Sequence, residues 1–138
     1  MYGRIVAQPR LTAWWRLEPG GTPFLPLIED MRVALSRRYG VTLDSVGLNL
    51  YRDGHDSVAW HRDRIAKEIP EPLVAIVSVG EPRRFLLRPG TRGKSRALLL
   101  GGGDLLVTGG ATQRTWQHTV PKVAQAGPRI SVTFRHGA

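Results

Sequence analysis

After Gly40 the pattern of the chain turns to strands, and the glycines and prolines spread along it suit many short strands joined by turns better than a helix bundle. Ser45–Tyr51 (SVGLNLY) alternates at its end, with Leu48 and Leu50 on one face and Asn49 and Tyr51 on the other. Ser57–His61 is a shorter run. Leu73–Val79 (LVAIVSV) is nearly all apolar, which predicts burial on both faces. Arg84–Leu87 and Ala97–Leu100 form a pair about a turn at Pro89–Gly90, and Gly101–Asp104 turns tightly into Leu105–Val107. Thr115–Val120 and Arg129–Arg135 complete the series. About eight short strands predict a β-sandwich or jelly roll, a mainly β (α+β) chain.

One helix precedes them. Thr22 can cap it, Pro23 suits its first position, and Gly40 suits its end. Leu27, Met31, Leu35 and Tyr39, with Ile28 and Ala34 beside them, predict the apolar stripe, which packs the helix on the outside of the β core. There is no internal repeat, low-complexity segment or linker, so residues 1–138 read as a single domain.

Twenty Lys and Arg against eleven Asp and Glu give a formal charge of +9, which favours polyanionic partners, nucleic acid first; a solvated basic surface is the competing reading. The absence of cysteine excludes disulfides, thiolate metal sites and a cysteine nucleophile. The opening MYGRIVAQPR has no signal-peptide pattern, and no stretch approaches the roughly 20 apolar residues of a membrane helix. The expectation is a cytoplasmic monomer with no membrane partner.

Three patterns carry chemistry. His61-Arg62-Asp63 places an imidazole and a carboxylate two residues apart, on one face if the strand extends that far, and His118 lies on another predicted strand. Two histidines and one carboxylate make the facial set that holds non-haem Fe(II) with open positions. A solvated histidine on a loop is the alternative. In Arg129–Arg135 the residues Arg129, Ser131, Thr133 and Arg135 share one face, while Ile130, Val132 and Phe134 share the other. Inside a barrel such arginines need anionic partners, and a dicarboxylate satisfies both. On an edge strand the same face would simply meet water. Asn49 and Tyr51 share a face and can both donate to a carboxylate, or can be ordinary strand residues.

Taken in order, these parts resemble the AlkB family of Fe(II)- and 2-oxoglutarate-dependent dioxygenases. The matching segments are Asn49-Leu-Tyr51, His61-Arg-Asp63, Val77-Ser-Val-Gly80, Gly103-Asp-Leu-Leu-Val107, Trp116-Gln-His118-Thr-Val-Pro-Lys122 and Arg129-Ile-Ser-Val-Thr-Phe-Arg135. Upstream, Pro9-Arg-Leu-Thr-Ala-Trp14 resembles the opening of the family's substrate-side cover, so about 1–20 are expected to form part of that cover. The resemblance implies a double-stranded β-helix with His61, Asp63 and His118 as iron ligands. It implies that Arg129 and Tyr51 hold the distal carboxylate of 2-oxoglutarate, that Arg135 and Asn49 support its metal-binding end, and that Ser131 is a polar contact. No catalytic residue is expected beyond these ligands.

The activity implied is oxidative dealkylation of N-alkylated bases in DNA or RNA with O2, releasing succinate and formaldehyde. The base must then be single-stranded or flipped out. Tyr2, Trp14 and Trp15 are candidates to stack on it, with core packing the alternative for the tryptophans, and Arg10 and Arg64 are candidate substrate contacts. Arg52, Arg62, Arg83 and Arg84 read either as part of a phosphate track or as a solvated rim.

Two features depart from the family pattern. Arg64, Ile65 and Ala66 follow Asp63 where many members carry acidic residues, and the next acid is Glu68, which leaves base preference open. The chain also starts only a few residues before Pro9, and the family's cover often needs more. The competing functions are the same oxygenase chemistry on tRNA, a protein or a small molecule, and a non-enzymatic nucleic-acid-binding module. Gly101–Gly103 lacks the Lys-Ser/Thr ending and following helix of a phosphate loop.

Overall fold

The computed structural model describes residues 10–17, 25–62, 72–90, 93–109 and 115–136. Nine strands and one helix follow in the order β1 (Leu11–Arg16), α1 (Pro26–Tyr39), β2 (Ser45–Tyr51), β3 (Val58–His61), β4 (Leu73–Gly80), β5 (Arg83–Pro89), β6 (Arg96–Leu100), β7 (Leu105–Gly109), β8 (Trp116–Val120) and β9 (Arg129–Arg135). The eight anticipated strands are all present. The ninth, β1, precedes the helix and forms in the segment anticipated only as a cover.

The strands make two sheets, a larger one ordered β1-β2-β9-β4-β7 and a smaller one ordered β3-β8-β5-β6. Every pairing is antiparallel. This is the jelly-roll architecture the strand pattern predicts. The C-terminal strand β9 lies between β2 and β4, so it is central and not an edge.

Two apolar clusters follow from alternation along the strands. Val74 and Ile76 of the large sheet meet Phe85, Leu100 and Val120 of the small one, closing the space between the sheets. Ala75, Val46, Val132 and Phe134, one residue out of phase, point the other way and pack with Ile28 of α1. The LVAIVSV run is apolar because β4 contributes to both clusters; only toward its end does it emerge, with Val79 48% exposed.

The helix differs from expectation at its start and on its buried face. Leu25 has extended dihedrals (φ −56°, ψ 142°) and makes no side-chain cap, so the helix begins at Pro26. Proline fits there because its missing N–H would have no helical acceptor in the first turn. Thr22 and Pro23, the anticipated cap and first residue, lie outside the described residues. Ile28, Met31 and Leu35 face the core, while Leu27 is 71% exposed and Ala34 is exposed too. Spacings of three and four residues, not four alone, trace the covered face. Arg32 pairs with Glu29 and also donates to the Leu43 carbonyl at 3.1 Å, tying α1 to the entrance of β2. Gly40, at φ 68°, ends the helix in the left-handed conformation, its N–H bonded to Ser36 O at 2.9 Å.

Candidate active site

The mouth of the sandwich opens into a cavity of about 300 Å³. Its polar wall is built by register. β2 and β9 pair so that Tyr51 stands opposite Arg129, Asn49 opposite Ser131, Gly47 opposite Thr133 and Ser45 opposite Arg135. Directly paired residues project to the same side, so one even-numbered spacing brings Tyr51, Asn49, Arg129, Ser131, Thr133 and Arg135 to the cavity. Gly47 leaves room on this wall: a Cβ there would lie 3.5 Å from Arg135 Nη1 and 3.7 Å from the Trp14 ring.

The opposite wall carries the histidines. His61 and His118 are directly paired across β3 and β8, with ring centroids 4.1 Å apart and planes inclined at 63°. Val58 and His61, three residues apart, both line the cavity because the β3–β8 register shifts between them. Phe85 stacks on His118 at 5.1 Å and 19°, buttressing that ring from β5. His61 Nδ1 lies 2.7 Å from the Ala59 carbonyl. A carbonyl only accepts, so Nδ1 carries the proton and the Nε2 lone pair is left for a metal. β3 ends at His61, and Asp63, the anticipated carboxylate ligand, lies outside the described residues. The fit of the described part to Fe(II) therefore rests on two adjacent imidazoles, one with its tautomer fixed for coordination.

Arg129 is 2% exposed. Its Nε donates to Ser78 Oγ at 2.9 Å, and its guanidinium carbon is 5.1 Å from the Tyr51 ring centroid. Its buried Nη1 has no hydrogen-bond partner among the described residues. Burial pushes the Arg129 pKa down and that of Tyr51 up, so the phenol stays protonated as a donor. A cavity that holds a buried cation with an unused donor beside a phenolic O–H fits a carboxylate group, and so fits one end of 2-oxoglutarate.

Asn49 Nδ2 donates to Ser131 Oγ at 3.2 Å, while Arg10 Nε donates to Asn49 Oδ1 at 3.1 Å. Arg10 is thus at the cavity wall. Trp14, also lining the cavity, is 52% exposed. Its neighbour Trp15 is a correction: strand alternation turns it to the other face of β1, where it packs against the helix-side cluster and cannot stack on a ligand in the cavity. Arg83, anticipated on a phosphate track or rim, is 1% exposed and bonded to backbone carbonyls, so it is neither. Tyr2 and Arg64 lie outside the described residues. The sequence reading missed Ser78 and Phe85 as parts of the site, while Thr133, placed by alternation on the face of Arg129, lines the cavity without having been given a role. The signal for Ser78 was present, a lone hydroxyl in an otherwise apolar strand.

A family model described as the 2OG-Fe(II) oxygenase superfamily matches residues 16–135. The chain belongs to that superfamily. Oxygenases of this superfamily work with Fe(II), 2-oxoglutarate and O2. The AlkB-like character read from the motifs is borne out by curated relatives. The human alpha-ketoglutarate-dependent dioxygenase alkB homolog 3 is 34% identical over 148 aligned positions, covering 93% of this chain and 51% of the human protein. The Arabidopsis thaliana DNA oxidative demethylase ALKBH2 is 36% identical, covering 81% of this chain and 43% of that protein. This oxygenase chain therefore spans about half the length of the curated relatives it matches. Among solved structures, OsALKBH1 superposes with a TM-score of 0.59 at 19% identity, covering 80% of this chain and 63% of the other. A Pseudomonas putida prolyl-4-hydroxylase superposes with a TM-score of 0.54 at 16% identity, covering 94% and 74%. Both share the double-stranded β-helix fold.

Proposed function

We propose that this oxygenase removes alkyl groups oxidatively from N-alkylated bases of nucleic acid. The observation that carries the reading is the pairing, in one cavity, of adjacent imidazoles with a buried arginine whose Nη1 has no partner among the described residues. A metal and a dicarboxylate answer those two needs together. The relatives named as a DNA oxidative demethylase and an alkB homolog support the substrate class, as does the +9 charge.

In this reading His61, Asp63 and His118 hold the iron. Arg129 and Tyr51 receive the distal carboxylate of 2-oxoglutarate, Arg135 and Asn49 support its metal-binding end, and Ser131 adds a polar contact. When bound, Fe(II) with 2-oxoglutarate and O2 supplies oxidative decarboxylation to succinate and CO2 coupled to hydroxylation of an alkyl carbon. The N-hydroxymethyl product then breaks its C–N bond, releasing formaldehyde and restoring the N–H. The chain's own work is to bind and orient. Phe85 holds His118, Ser78 holds Arg129, and Tyr51 keeps its proton. The base reaches the cavity unpaired or flipped, and Trp14 offers the exposed aromatic surface on which to stack it.

The test is anaerobic loading with Fe(II), then air with 2-oxoglutarate and a methylated single-stranded oligonucleotide, with His61→Ala as control. Succinate and demethylated base are expected to rise together and to vanish in the variant. Succinate without demethylation would keep the oxygenase and move the substrate elsewhere. Neither product from the iron-loaded chain would overturn the reading.

A further inference from the structure

Among the described residues, Arg83 is the most deeply buried cation that the proposed chemistry does not use. It opens β5, is 1% exposed, and is not among the residues lining the cavity. Its guanidinium reaches backbone carbonyls on two segments. Nη1 donates to Asp53 O at 3.0 Å, and Nη2 donates to Asp56 O and to Pro121 O, both at 2.8 Å. Asp53 and Asp56 belong to the turn leading into β3, which ends at His61. Pro121 follows β8, which carries His118. One side chain therefore fastens the entrance of one histidine-bearing strand to the exit of the other.

Those strands need an external tie. β3 has four residues, lies at the edge of its sheet, and touches β8 in register only at Val58↔Val120 and His61↔His118, with an irregularity between. Such a ladder gives β3 only two in-register pairs with which to hold its place. The turn is also closed from its far side, where Val123 N donates to Gly54 O at 2.9 Å. A Cβ at Gly54 would fall 2.3 Å from Val123 O, so only glycine permits this approach.

The arrangement is costly. Burial lowers the Arg83 pKa, and its Nε has no hydrogen-bond partner among the described residues. The desolvation is offset by the three carbonyls that Arg83 satisfies, which would lose this donor if the side chain were apolar. We propose that Arg83 is a positioning residue that sets the separation of His61 and His118 by clamping the turn before β3 to the segment after β8. The inference rests on the iron-binding reading given above.

The sign of the effect distinguishes the clamp from plain electrostatics. Removing a buried positive charge near a cation site strengthens cation binding by Coulomb's law. Removing a clamp weakens it, and loss of an outer support of metal ligands typically costs about 10–100-fold in affinity. The experiment titrates the full chain with Mn(II), a redox-quiet probe, and follows the free ion by electron paramagnetic resonance. Arg83→Met, Arg83→Lys and Gly54→Ala are compared with the wild type after circular dichroism confirms folding. Arg83→Met is expected to bind Mn(II) about 10–100-fold more weakly. Arg83→Lys, whose single ammonium cannot span all three carbonyls, is expected to lose part of the affinity. Gly54→Ala, which changes no charge, is expected to weaken binding as well, and with the lysine variant carries the test if the methionine variant does not fold. Folded variants that bind Mn(II) as tightly as the wild type, or more tightly, overturn the clamp alone. A wild type that does not bind Mn(II) overturns the metal reading and the clamp with it.

Discussion

Tyr51 and Arg129 face each other directly across the β2–β9 ladder, with the guanidinium carbon 5.1 Å from the ring centroid. Arg83 lies 5.5 Å from the same ring, so the phenol is bracketed by two arginines, and both of these are almost wholly buried. Arg83 directs its Nη1 and Nη2 to backbone carbonyls, whereas Arg129 lines the cavity with an Nη1 that has no partner among the described residues, so an anion there would complete its pairing. The proximity of Arg83 further lowers the Arg129 pKa, which burial already depresses.

Arg129→Met should therefore separate ligand binding from stability. Charge-assisted hydrogen bonds contribute about 1.5–3 kcal/mol each, so 2-oxoglutarate affinity should fall by roughly 10–150-fold. The same change removes a buried, incompletely paired cation, so the melting temperature of the ligand-free chain should hold or rise. Calorimetric titration and thermal denaturation of the same preparations decide it. Lower stability with unchanged 2-oxoglutarate affinity would assign Arg129 to the framework and not to the ligand.

The turn before β3 should give the fold an acid-sensitive hinge. Asp56 Oδ2 accepts from Arg52 Nε at 2.7 Å and from the Arg52 backbone N–H at 2.8 Å. The Arg52 side chain, then its backbone N–H, holds the Asp56 carboxyl down at about 2, against an ordinary value of 3.8. A depressed folded-state pKa means that the unfolded chain takes up the proton first on acidification. The stabilisation is thus complete above pH 3.8 and is lost as pH falls through about 2. Asp56→Asn should flatten the stability profile across that window and lower stability at neutral pH. Denaturant midpoints measured from pH 6 down to pH 2 check it; a variant profile parallel to the wild type's would place the acid sensitivity elsewhere.

Most of the site was legible because β2 and β9 keep strict alternation and pair in even register. Asn49-x-Tyr51 and the alternate residues of Arg129–Arg135 had only to be counted in twos to be placed on one wall. Three features escaped for physical reasons. Trp14 and Trp15 are chemically alike, and only the phase of β1 against β2, which depends on partners far along the chain, separates them. Arg83 and Arg84 are adjacent arginines, yet one is buried and the other exposed, a distinction set by three distant carbonyls. The helix start was misplaced because Thr22-Pro23 carries the same start chemistry that Pro26, preceded by an uncapped leucine, satisfies in the fold.

The helix's buried face gives the last prediction, and a control for the others. Spacing by fours alone puts Leu27 in the stripe, whereas the fold buries Ile28 to 8% exposure and leaves Leu27 at 71%. Truncating Ile28 removes contacts with Leu43, Val46 and the rest of the helix-side cluster, and the cavity it leaves can close only partly. Ile28→Ala should cost about 2–4 kcal/mol in unfolding free energy. Leu27→Ala should change it by no more than about 0.5 kcal/mol, as is usual at exposed positions. Both figures come from denaturant midpoints at constant slope. Because α1 packs on the face of the large sheet turned away from the cavity, both variants should keep wild-type 2-oxoglutarate affinity while folded. Equal costs at the two positions would mean that the helix is rotated by about one residue, about 100°, about its axis. The helix-side cluster and the route by which Arg32 reaches the Leu43 carbonyl would then both have to be redrawn.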